Sequence, residues 1–151
     1  MAKLARALVI ATLVLLVGAP VVAGKVEPIG PRLNLLANPT AFAANSAFHV
    51  KHGFALAADQ DPSVGLYSFK LDVDGTPRAL DFVQRFVVTI DGQDYLVRFW
   101  GFNFAAGLPA GAHTFVGHWF GPCGPNGVCG PGQQPNTVVE LDTQSRTVTF
   151  S

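Results

Sequence analysis

Four histidines, His49, His52, His113 and His118, are the side chains of this 151-residue sequence best equipped for chemistry. Imidazole ligates zinc or copper and exchanges a proton near neutral pH. A zinc centre needs three or four ligands that converge. His49 and His52 stand three apart and His113 and His118 five apart, so alternation along a strand sends the members of each pair to opposite faces. A looser zinc or copper site built from His52 and His113, at inward or corner positions, is the alternative that remains. Against it stands the expectation that each histidine lies at the core edge, satisfied by backbone hydrogen bonds. Spacing identifies no ligand set, and no cofactor is expected.

The segment Phe48-His49-Val50-Lys51-His52-Gly53 is similar to the F-H-x-H-x-x-G strand of copper/zinc superoxide dismutases, which are exported β-sandwiches. That family's two ligands are two apart on one face. The spacing here is three, the bridging ligands are missing, and Gly124-Pro125-Asn126-Gly127-Val128-Cys129-Gly130 is only an echo of the family's G-N-A-G-x-R-x-A-C-G segment.

Other chemistries find less. Ser46, Ser63, Ser68, Ser145 and Ser151 lack the G-x-S-x-G context that exposes a nucleophile. Asp59 with Asp61, and Asp72 with Asp74, sit at turns, where Asp bonds its own backbone. The glycines between Gly121 and Gly132 contain no G-x-x-x-x-G-K-[ST] and lead into no helix, which removes a phosphate loop. Aromatic residues offer more: Trp100, Trp119 and Phe120 lie on or beside this loop and suit sugar or protein contacts, although Trp100 and Trp119 also suit a core.

The start of the chain sets the compartment. Lys3 and Arg6 precede an apolar run from Ala7 to Val17, followed by Gly18-Ala19-Pro20-Val21-Val22-Ala23, the three-part pattern of a signal peptide cleaved after Ala23. A spanning helix needs roughly 20 apolar residues, and Gly18 and Pro20 end this run too early. No Cys near Ala23 supports a lipid anchor, and no later stretch qualifies as a span. The expected product is secreted, extracellular or periplasmic. Its organisation is a signal peptide over 1–23, an extended arm over 24–46 and a β-sandwich domain over 47–151. Beyond Ala23, eight Lys and Arg face ten Asp and Glu, without the basic footprint of a nucleic-acid binder. Export also gives the two cysteines a role. Cys123 and Cys129 close a short loop as a disulfide, worth roughly 2 to 2.5 kcal/mol by chain entropy.

The elements that must position these residues are strands. All twelve Phe, both Trp and both Tyr follow the leader, among many Val, Thr and Gly. Pro28, Pro31 and Pro39 hold the arm extended, with at most one edge strand near Leu33 to Leu36. Phe48, Val50, His52, Phe54 and Leu56 alternate along one strand face, and Tyr67, Phe69, Leu71 and Val73 along the next. Asp74-Gly75 and Asp91-Gly92 mark two-residue hairpins. Tyr95 to Phe104 carries apolar residues on both faces, as a central strand does. His113, Phe115, Gly117 and Trp119 share one face of the following strand, and Thr114, Val116, His118 and Phe120 the other. Thr137 to Leu141, a turn at Asp142 to Ser145, and Arg146 to Phe150 read as a closing hairpin. Seven or eight strands between turn signals point to an antiparallel sandwich, with an open barrel as its rival.

Leu108-Pro109-Ala110-Gly111-Ala112-His113-Thr114-Phe115 resembles the corner that opens the penultimate strand of immunoglobulin-like and fibronectin type III-like domains, with His113 where those families carry Tyr. The resemblance implies an immunoglobulin-like β-sandwich whose His113 ring bonds backbone at the corner. It implies fold and not function. The cross-sheet Cys pair of antibody domains is absent, because both cysteines fall in one loop. The chain therefore reads as a non-catalytic, exported all-β domain that binds a protein or carbohydrate through the loop from Gly121 to Pro135, with Trp119, Phe120, Pro122 and Asn126 as contacts. The alternatives are an exported metalloprotein or enzyme using His52 and His113, and a structural envelope component that self-associates.

Overall fold

The computed structural model describes residues 26–37, 41–57, 64–124 and 129–151. The leader over 1–23, its cleavage point near Ala23, the Asp59–Ser63 turn and Asn126 lie outside the described residues. Eight strands follow in order: β1 (Arg32–Leu33), β2 (Phe48–Ala57), β3 (Ser68–Val73), β4 (Thr76–Arg78), β5 (Phe82–Ile90), β6 (Gln93–Phe104), β7 (Gly111–Pro122) and β8 (Val138–Phe150). A 3-10 turn at Val64–Leu66 leads into β3.

The strands form two sheets, β1-β2-β6-β5 and β4-β3-β7-β8, and no barrel. Lettered in sequence, this is the A-B-E-D and C′-C-F-G order of immunoglobulin-like sandwiches. Both Asp-Gly hairpins form as their composition demands, with φ at +52° and +76° for Asp74 and Gly75 and +51° and +77° for Asp91 and Gly92. Positive φ at both central residues is the type I′ geometry whose twist matches that of paired strands.

The arm departs from the immunoglobulin pattern. β1 pairs parallel with β2, through Arg32 opposite His49, and Phe42 then bridges in parallel to Phe150 on the other sheet. The arm thus closes the side of the sandwich and buries Leu33, Leu35 and Phe42. Inward residues of both sheets supply the core. Phe48 stacks on Phe104 at 4.4 Å between ring centroids, and Phe42, Phe115 and Phe150 pack around Phe48.

The expected closing hairpin is corrected. Val138–Phe150 is one strand of 13 residues, and Asp142 to Ser145 pair with Trp119 to Val116 instead of turning. Polar side chains are acceptable there because β8 is an edge strand with a solvated outer face. The twelve residues of β7 supply the ladder that keeps the backbone extended. One irregularity remains: between Trp119 and Phe120 the register skips Leu141, a β-bulge.

Candidate functional site

The last residues of β2, β5 and β7 and the first of β3, β6 and β8 lie at one end of the sandwich. Here the two sheets leave between them an open pocket of about 250 Å³, lined by Phe54, Leu56, Tyr67, Trp119, Leu141 and Asp142. Strand alternation delivers Phe54 and Leu56 from β2 and Trp119 from β7 to the inner faces, and Tyr67 arrives on the residue before β3. The bulge supplies the last two. An unbroken strand would send Leu141 and Asp142 to opposite faces, whereas the extra residue turns both toward the pocket.

Three aromatic rings make its walls. Phe54 lies 5.0 Å from Tyr67 and 5.7 Å from Trp119 between centroids, and the buried Trp100 stands behind, 5.3 Å from Trp119. Gly121 is a consequence of this packing. A Cβ there would come within 2.6 Å of the Tyr67 ring and 2.7 Å of Leu141. Asp142 is the one ionic residue in the lining, and it accepts a hydrogen bond of 3.1 Å from Gln144 Nε2.

Beside the pocket, β7 runs into the connection that holds the disulfide. Cys123 and Cys129 are joined, with their Cα atoms 4.8 Å apart. Cys123 is fully buried and ties the base of the connection, its N–H donating to Thr137 and its carbonyl accepting from Asn136. Gly130 N–H donates to Gln133 Oε1, and Thr137 Oγ1 to the Gln134 carbonyl, so the returning segment is shaped by its own turns.

The residues expected as contacts do not share one surface. Trp119 is half-buried on the pocket wall. Phe120, next along the strand, points to the outer face of its sheet, under the Lys70 ammonium at 4.7 Å. Pro122 is buried where β7 ends. Asp142 and Leu141 escaped the sequence reading because a bulge leaves no signature in composition. Tyr67, Phe54 and Leu56 were legible as inward-facing, although not as the rim of an opening.

The four histidines occupy four separate surroundings. His49 faces outward but is covered by the arm, its Nδ1–H donating to the carbonyls of Ile29 at 3.0 Å and Gly30 at 3.2 Å. His52 is buried between Phe69 and Trp119, and burial, with a smaller push from the Arg32 charge, lowers its pKa. His118 lies on the outer face, 2.8 Å from Glu140 and 3.5 Å from Asp72. Hydrogen bonds from Thr143 and His118 hold the Glu140 carboxyl below its usual range.

His113 sits at the corner, Nδ1 2.6 Å from Asp74 Oδ2 and Nε2 3.0 Å from the Pro109 carbonyl. Both partners are acceptors, so the ring bonds both only as imidazolium, and its pKa is raised, chiefly by the bond to Asp74. His52 touches Trp119, which is six residues along β7 from His113, roughly 20 Å at the rise of a strand. His52 and His113 therefore do not converge. Among the described residues no three His, Cys, Asp or Glu group to hold a metal ion.

In comparisons with known proteins, no family model, no curated protein and no solved structure matches the chain. Among the described residues no helix is long and apolar enough to cross a membrane.

Proposed function

We propose that this chain is an exported, non-catalytic recognition domain that grips a protein partner with the pocket at its loop end. One observation carries the reading: a bulge in β8 turns Leu141 and Asp142 together into an aromatic-walled opening beside a disulfide-closed connection. Loops clustered at one end of a rigid sandwich are where such folds place recognition. The walls are apolar and carry few hydrogen-bonding groups, which favours an apolar anchor side chain over a sugar. The Asp142 carboxylate favours a basic residue next to that anchor. The disulfide and the leader pattern support export.

Fluorescence titration with a neutral apolar probe, N-phenyl-1-naphthylamine, tests the pocket. Short peptides pairing Leu or Phe with Lys, and soluble oligosaccharides, form the comparison. The probe and the basic-apolar peptides bind the native chain, and Trp119→Ala weakens both at least about tenfold, or 1.4 kcal/mol. Asp142→Asn weakens only the peptides. Binding that ignores Trp119→Ala, or that favours oligosaccharides over peptides, overturns the assignment. Amino-terminal sequencing of the exported product, expected to start at Gly24, tests the leader.

A further inference from the structure

The four sheet edges are not alike. β1 has two residues, β4 has three with Pro77 at its centre, and both are too short to template another strand. β8 is long, but its outward side chains are Glu140, Thr143, Ser145, Thr147 and Thr149. It is also interrupted by the bulge and crossed at its end by the arm, through Ala44 N–H to the Ser151 carbonyl and Ser151 N–H to the Phe42 carbonyl. These are the devices by which proteins blunt their edges. Among the described residues, none of these devices falls on β5. Its nine residues, Phe-Val-Gln-Arg-Phe-Val-Val-Thr-Ile, include no Pro and one charge, and Val83, Phe86, Val87 and Ile90 are exposed by 36 to 57 %. An open hollow of about 430 Å³ runs along Val83 to Phe86.

The hairpin fixes which backbone groups are free. A two-residue type I′ turn makes Ile90 and Gln93 a hydrogen-bonded pair, and alternation then directs Val88, Phe86 and Gln84 toward β6. The N–H and C=O groups of Val83, Arg85, Val87 and Thr89 point away from it. We propose that a second copy of this chain pairs antiparallel along β5, with the twofold axis at Phe86.

The strand itself selects that occupant and that register. Phe86 is the midpoint of Phe82–Ile90, so this register alone pairs all nine residues, and it sets Val83 opposite Thr89 and Arg85 opposite Val87 of the second copy. All the free groups are used, making about eight hydrogen bonds. Shifting the axis to Arg85 would place two guanidinium groups opposite each other, which is destabilising. With the axis at Phe86, two exposed rings meet as a close non-hydrogen-bonded pair, each already supported by Phe99 of its own chain at 6.1 Å. The product is one sheet of eight strands across two copies. Antiparallel pairing points the two loop ends in opposite directions, giving a two-headed assembly.

Light scattering on the purified chain during size exclusion, over micromolar to sub-millimolar concentrations, gives twice the chain mass. Val87→Pro removes an N–H that β6 does not use, and Phe86→Lys puts two ammonium groups on the axis. Each lowers the mass to that of one chain while leaving the far-ultraviolet dichroism of the sandwich unchanged. Register is read by oxidation. Phe86→Cys cross-links two copies, whereas Val88→Cys, roughly 13 Å from its symmetry mate, does not. One chain mass at every concentration overturns the proposal. So does a dimer that persists in Val87→Pro and Phe86→Lys, and so does cross-linking through position 88 in preference to 86.

Discussion

His113 and His52 show how one residue type takes opposite electrostatic roles. His113 carries its proton between Asp74 and the Pro109 carbonyl, and its pKa is raised. That contribution is fully present below the unfolded value of about 6.5 and is lost as pH rises through the folded value. His52, between Phe69 and Trp119, is held neutral, and its pKa is lowered. The unfolded chain binds that proton more readily, so stability falls as pH drops below about 6.5. Stability measured by denaturant unfolding is therefore expected to peak near pH 6.5. Asp74→Asn removes the decline on the alkaline side, and His52→Phe reduces the decline on the acid side. Because Asp74 is half exposed, the His113 contribution is small, about 1 kcal/mol or less. A pH profile unchanged in both variants would contradict these roles.

At the scale of elements, turn chemistry and bulge placement decide how the strands are aimed. Gly75 and Gly92 hold positive φ in open surroundings, with nothing near the position of an added Cβ. Gly92→Ala therefore costs only backbone strain, about 1 kcal/mol, read as a lower urea midpoint with an unchanged slope. Gly101→Ala is a different case. Its Cβ would come within 1.9 to 2.4 Å of three atoms at the tip of the Phe82 ring, so that buried ring must leave its place over β6, and the expected loss is larger than at Gly92. Both hairpins were legible because Asp-Gly reports a local conformation. The closing hairpin was misread for a related reason: Asp142 to Ser145 have the composition of a turn, and only pairing with β7 makes them strand. The same partner fixes the bulge, which has no local composition of its own.

Across the whole molecule, packing is uneven from one end to the other. Phe48, Phe104, Phe115 and Phe150 fill one end, while Phe54, Trp119 and Tyr67 border an opening at the other. Phe48→Ala leaves a closed cavity and is expected to cost about 3 to 5 kcal/mol. Phe54→Ala enlarges a space already open to water and costs about half as much, as chemical denaturation of the two variants would measure. Replacing Cys123 and Cys129 by Ser lowers stability by about 2 kcal/mol and leaves the core intact, as near-ultraviolet dichroism reads. The alternating apolar residues and the Asp-Gly turns set by themselves an antiparallel all-β chain, because each is a local pattern that fixes strands or tight turns. The corner at Leu108 to Phe115 added a resemblance to immunoglobulin-like domains. The choice of sandwich over open barrel came with the two separate sheets. Sequence also brought the two cysteines within bonding reach. Alternation already set Trp119 and Phe120 on opposite faces of one strand. Only tertiary structure decided that His52 and His113 stand far apart and that Leu141 and Asp142 complete a pocket. Those outcomes depend on register between strands distant in sequence, which is set by the fit of two whole sheets.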